Sequence, residues 1–83
     1  MFGVILAHIE QGRNSIKVIS KHLSREEAVE EFIKRVPAYY GWDSSEDFEE
    51  EYPDAFDEIR ENGCLENRAE MDDWTDFWQI VEI

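Results

Sequence analysis

The feature that most constrains how this chain can fold is the segment from residue 43 to residue 58, in which nine of sixteen residues are acidic and none is basic. If the segment is helical, residues three and four apart are neighbours, and ten such acid–acid pairs occur between Glu46 and Glu61. Together these pairs cost roughly 2 to 5 kcal/mol before salt screening. Since a chain of 83 residues is stabilised by only roughly 4 to 12 kcal/mol, one face of this segment must pack against the rest of the molecule.

An apolar stripe of helical period runs through the same segment and supplies that packed face. It consists of Phe48, Tyr52, Ala55, Phe56 and Ile59. Ser44 or Ser45 can cap the helix, and an acidic first turn suits the positive end of the helix dipole. Pro53 disfavours a helical Tyr52, so we expect a kink or two short helices over residues 43 to 62. The second helix is predicted to begin at Pro53 and to stop at Gly63.

The remainder of the chain predicts three strands and one helix. Residues 2 to 10 and 15 to 23 flank a turn-like sequence at 11 to 14, which is typical of a β-hairpin. Ser24 and Glu27 have capping-box spacing and predict a helix that begins there and is ended by Pro37. Its buried face is predicted to consist of Ala28, Val29, Phe32, Ile33 and Val36. Residues 77 to 83 alternate in polarity and predict a final strand that joins the hairpin, after an irregular stretch from 64 to 76.

The predicted architecture is therefore a single α+β domain spanning residues 1 to 83, with the element order ββααβ. A small three-stranded antiparallel or mixed sheet would carry two or three helices on one face. Apolar residues make up 42% of the chain, which is too much core-forming material for a disordered tail.

The single cysteine and the character of the N-terminal residues predict a cytoplasmic location. Cys64 alone provides neither an internal disulfide nor a cysteine-based zinc site, which favours a reducing compartment. The apolar start from Phe2 to Ala7 lacks the basic region of a signal peptide and is too short to span a bilayer. We therefore expect no membrane association.

Residues suited to catalysis or to metal binding are few. His8, His22 and Cys64 are the candidates, and there is no glycine-rich phosphate loop. The two histidines are better interpreted as structural or exposed, and Cys64 as a half-buried small residue. A calcium loop at 43 to 54 would require Gly at its sixth position and Glu at its twelfth, where this chain has Phe48 and Asp54. The sequence therefore predicts no catalytic residues, no metal site, no cofactor and no enzymatic activity.

The distribution of charge indicates what the protein binds. Residues 1 to 42 carry five acids and six bases, whereas residues 43 to 76 carry fifteen acids and two bases, a net charge of −13. Such a segment repels nucleic acid and favours a basic partner protein. The predicted partner-binding residues are Asp43, Glu46, Asp47, Glu49, Glu50, Glu51, Asp54, Asp57, Glu58, Glu61, Asp72 and Asp73, assisted by Glu66, Glu70 and Asp76. The candidate aromatic anchors at the edge of this acidic segment are Trp42, Tyr52 and Trp74.

In its size, its charge and the position of its acid run on a small α+β body, the chain resembles the phage-encoded anti-CRISPR and anti-restriction inhibitors that mimic nucleic acid. The resemblance implies a stoichiometric inhibitor whose carboxylates replace phosphates in the basic nucleic-acid-binding surface of a partner protein. Those inhibitors share no motif, so the resemblance assigns a role to no individual residue of this chain. Two alternatives remain open. One is an immunity or antitoxin protein that neutralises a basic toxin, and the other is an acid run that serves only as a solvated surface.

Overall fold

The computed structural model describes residues 1 to 69 and 71 to 83. In chain order, the elements are β1 (Phe2–Glu10), β2 (Arg13–His22), α1 (Arg25–Tyr39), α2 (Ser45–Glu51), α3 (Ala55–Asn62), β3 (Cys64–Ala69) and β4 (Trp74–Glu82). The predicted α+β class, the N-terminal hairpin and the final strand are confirmed.

The sheet has four antiparallel strands in the order β2-β1-β4-β3, so the prediction of three strands was wrong. The additional strand is β3, which lies in the stretch that the sequence indicated as irregular. It pairs with β4 from Cys64 opposite Gln79 to Ala69 opposite Trp74. β4 also pairs with β1 along its whole length and therefore occupies the centre of the sheet.

The three helices cover one face of the sheet and enclose the core with it. That face contributes Val4 and Leu6 from β1 and Trp78 from β4, each at most 1% exposed. The helices contribute Ala28, Phe32, Val36, Phe48, Phe56 and Ile59. The helical stripes expected from the sequence therefore contribute to the core, although Val29, Ile33 and Ala55 are only partly buried against it and Tyr52 is 50% exposed.

Helix α1 continues through Pro37 to Tyr39, which corrects the prediction that Pro37 ends it. A proline inside a helix lacks the N–H that would bond to the carbonyl four residues earlier, and its ring crowds that carbonyl, so the following turn forms only when other contacts offset both costs. Here Val36 and Pro37 are both buried, and the backbone N–H of Tyr40 donates to the carbonyl of Val36 at 3.3 Å. The packing of this last turn thus outweighs the missing hydrogen bond.

Two short helices replace the single acidic helix, as one of the two sequence interpretations predicted. Ser44 caps α2, and its hydroxyl accepts from the N–H of Asp47 at 3.1 Å. Pro53 lies between the helices, because Asp54 is the N-terminal cap of α3, so the expectation that Pro53 begins the second helix was wrong. Gly63 ends α3 as predicted, with φ 66° in the left-handed region that favours glycine.

Candidate protein-binding surface

The twelve carboxylates predicted to bind a partner are all exposed, and we call them the acidic surface. Ten of them lie on α2, on α3 or in the residues that flank these helices. The other two, Asp72 and Asp73, lie in the turn before Trp74. Helix α2 packs against α1, and α3 packs against both α1 and β3, so the ten helical acids lie above the β3 side of the sheet.

The break at residues 52 to 54 reduces the repulsion within the acidic surface. Four of the ten neighbouring acid pairs fall within α2 and two within α3, so six remain inside one helix. Among the described residues, Asp57 is the only member of the acidic surface with an ion pair, to Arg60 at 3.6 Å. That pair is exposed, so it neutralises little of the field. The surface therefore retains its negative charge.

A groove of about 390 Å³ opens beside the acidic surface and is lined largely by aromatic rings. Trp42, Phe48 and Tyr52 form one wall, and the ring of Trp42 meets those of the other two edge-on at about 6 Å. Tyr40 and Trp74 also line the groove, as nearly parallel rings 6.3 Å apart. Residues 65 to 69 of β3 complete the lining. All three aromatic residues that the sequence suggested as anchors thus converge on one groove.

The same groove continues into a second depression lined by carboxylates. Tyr52, Ala55, Leu65 and Glu66 line both parts, and the second part adds Glu51, Asp54 and Glu58. Aromatic faces attract cations, and carboxylates pair with them. A long basic side chain would therefore find an aromatic wall for its stem and acids for its head.

One acid that the sequence assigned to the partner surface is buried instead. Asp76 is 2% exposed and accepts hydrogen bonds from Nδ1 of His8 and from the hydroxyl of Tyr40, the latter at 2.6 Å. Nε1 of Trp78 in turn donates to the hydroxyl oxygen of Tyr40 at 2.9 Å. A buried carboxylate must be hydrogen-bonded to be tolerated, and this network satisfies it. Asp76 therefore joins the end of α1 to the sheet and contributes nothing to the acidic surface.

The same network sets the titration of His8. Its Nδ1 bonds to Asp76 and its Nε2 lies 3.3 Å from Glu10, and these hydrogen bonds raise the pKa of His8 above 6.5. Both ring nitrogens are occupied, which is unfavourable for a general base. Burial, and then the hydrogen bond to Asp76, raises the pKa of Tyr40, so this phenol remains a neutral donor.

The remaining sequence candidates have separate positions. Cys64 is half-buried, as predicted, and burial, together with nearby Glu58, raises the pKa of its thiol. Nε2 of His22 lies 2.8 Å from the hydroxyl of Ser20, which indicates a structural role. Glu66 is exposed and paired with Arg68 at 2.8 Å. Glu70 lies outside the described residues.

The chain matches no protein-family model, no curated protein and no solved structure. Within residues 1 to 69 and 71 to 83, no helix combines the length and the apolarity that crossing a membrane requires.

Proposed function

We propose that the protein is a stoichiometric inhibitor that occupies the basic nucleic-acid-binding surface of a partner protein, as the phage-encoded anti-CRISPR and anti-restriction inhibitors do. The observation that carries the proposal is the acidic surface itself: twelve exposed carboxylates, of which eleven lack an ion pair among the described residues. Carboxylates held on consecutive short helices present negative charge at intervals that a phosphate-binding protein can accept.

The aromatic groove supplies the second part of the proposal. Charge alone steers association but contributes little specificity, whereas aromatic residues in a partly enclosed groove are typical of the positions that dominate binding energy. We therefore assign to the groove a Lys or Arg side chain of the partner, with its stem against the aromatic lining that includes Trp42 and Trp74. The acidic surface surrounds this contact and orients the approach.

The occupied ring nitrogens of His8 and the raised pKa of the Cys64 thiol support a binding role without catalysis. In this proposal the protein acts in the cytoplasm, which for a phage-encoded inhibitor is that of the host cell. Binding depends on charge and should therefore weaken steeply as salt rises.

The test is capture of partners from host lysate at low salt by two charge-reversed variants of equal net charge. One carries Glu46, Glu49 and Glu50→Lys within the acidic surface. The matched control carries Glu26, Glu27 and Glu30→Lys on α1, where the three side chains are also exposed. We expect the wild type and the control to retain one nucleic-acid-processing protein that DNA or RNA competes off, and the α2 variant to lose it.

Equal retention by both variants would contradict the proposal. Equal loss would leave only a general effect of net charge and would contradict it as well. If the captured protein is a single basic toxin that nucleic acid does not displace, the immunity function replaces the inhibitor proposed here.

A further inference from the structure

The face of the sheet that the helices leave uncovered is apolar. Residues directly opposite one another in neighbouring strands project to the same face, and successive residues alternate between faces. The registers therefore place Ile16, Ala7 and Phe77 in one row across β2, β1 and β4, and Val18, Ile5 and Gln79 in the next. We call this side, with Ile9, Val81 and Ile83, the outer face.

Several of these side chains are exposed to an extent that is unusual for large apolar residues in a sheet. Ile16 is 76% exposed, Val18 is 56% exposed and Ile83 is 63% exposed. Ile9 and Phe77 are 45% and 40% exposed. Contiguous apolar surface of this kind marks an interaction site in proteins that fold stably.

The charge of the outer face differs from that of the rest of the molecule. The registers place only Lys21, Glu66 and Arg68 on it among charged residues, which gives a net charge of +1. The chain as a whole has a net charge of −13, so the remainder carries −14. A basic partner of the acidic surface has no electrostatic reason to bind here, whereas an identical outer face is equally apolar and carries too little charge to repel its copy strongly.

We propose that the outer face is covered by a second copy of this chain, in a symmetric dimer with the two sheets stacked face to face. Four strands with nine residues in β1 and β4 offer about 19 by about 30 Å per copy, or about 1,100 Å² for two copies. This projected area exceeds the ~1,000 Å² that a biological interface requires.

The position of the acids is compatible with such a dimer. Stacked sheets pack about 10 Å apart, and the helices add a further layer of about 10 Å on each outer side. The acidic surfaces of the two copies therefore lie roughly 30 Å apart, several times the Debye length of about 8 Å at physiological salt. Repulsion between them is screened, and both remain open to partners. This inference does not depend on the proposed function.

Sedimentation equilibrium over a concentration series from about 1 to about 500 µM brackets the dissociation constants of modest interfaces. We expect the wild type to reach twice the chain mass of 9.9 kDa. Ile16→Lys and Val18→Lys, each on the exposed side of an edge strand that tolerates lysine, should weaken dimerisation at least about tenfold. Met71→Lys is the matched control: Met71 is 99% exposed, lies in the turn before β4, and receives the same charge change.

Circular dichroism of each variant establishes that it is folded. A wild type that stays monomeric throughout the series would overturn the proposal. So would a dimer that survives both β2 substitutions, because that result would place the contact at a strand edge or on the helices.

Discussion

At the scale of single residues, the feature with the clearest physical consequence is the hydrogen-bonded group of His8, Asp76, Tyr40 and Trp78. It places one nearly inaccessible carboxylate inside a protein whose other acids are mostly exposed. Each polar atom of the group has a partner, and no buried side-chain nitrogen or oxygen among the described residues lacks one. Removing a partner should therefore cost more than an ordinary hydrogen bond contributes.

Tyr40→Phe is expected to lower the free energy of unfolding by about 1 to 3 kcal/mol, because it leaves Asp76 and the indole N–H of Trp78 each short of a partner. Urea denaturation measures the change. Tyr52→Phe is the control, since Tyr52 is 50% exposed and its hydroxyl has no hydrogen bond among the described residues. If the two substitutions lower the free energy of unfolding equally, the buried network contributes no more to stability than an exposed hydroxyl group does.

Stability should also depend on pH through His8. Hydrogen bonds to Asp76 and Glu10 raise its folded-state pKa above 6.5. The stabilisation is therefore fully present below pH 6.5 and is lost as pH rises through the raised pKa. We expect urea midpoints to fall as pH rises above about 6.5, which is above the range in which ordinary carboxylates titrate. His8→Asn should flatten this decline and His22→Asn should not; an unchanged slope in His8→Asn would contradict the assignment.

At the scale of elements, the sequence was sufficient wherever a cap or a turn coincided with an apolar period. Ser24 and Gly63 were found in this way, the cap of α2 was narrowed to Ser44 or Ser45, and the first strand of the hairpin has the predicted bounds. The second strand begins two residues earlier than predicted and ends one residue earlier. β3 was missed because its inward positions, Leu65, Asn67 and Ala69, include only one large apolar residue. The turn that follows uses Asp73 at φ 55°, where glycine would have been the recognisable signal.

The candidate site was only partly predictable, because some of its features depend on contacts between residues that are distant in sequence. The acidic surface follows from local composition, because ten of its twelve members lie close together in the sequence between residues 43 and 61 and all twelve are exposed. The burial of Asp76 depends on Tyr40, 36 residues away, and on His8, 68 residues away. The aromatic groove likewise requires β3 to face α2. Contacts across such separations have no signature in a single sequence.

Adjacent serines at the start of α2 provide an internal test of this element. Ser44→Ala should destabilise the protein by about 1 kcal/mol, because its hydroxyl accepts from the N–H of Asp47 and the dense acids of α2 leave that helix little stability in reserve. Ser45→Ala should have almost no effect, since Ser45 is the first helical residue and is exposed. Urea denaturation of both variants measures the change in the free energy of unfolding. Equal decreases in the two variants would mean that Ser44 is not the cap.

At the scale of the whole molecule, the net charge of −13 opposes folding, because like charges repel one another in the compact state. Raising NaCl from about 20 to about 500 mM should therefore increase the free energy of unfolding in urea by about 1 to 3 kcal/mol. Glu46, Glu49 and Glu50→Lys changes the net charge from −13 to −7 and should reduce this salt dependence. Stability that does not change with salt in the wild type would show that the acids are too well solvated to repel.

The placement of the bases has a consequence for how the molecule meets a partner. β2 carries Arg13, Lys17 and Lys21 and no acid, and it lies at the opposite edge of the sheet from β3, against which α3 packs. The centres of positive and negative charge are thus displaced across the strands. In the field of a cationic protein this displacement produces a torque, which rotates the acids toward the partner before any atoms touch. Part of the rotational search is then complete at first collision, and productive encounters become more frequent than net charge alone would allow.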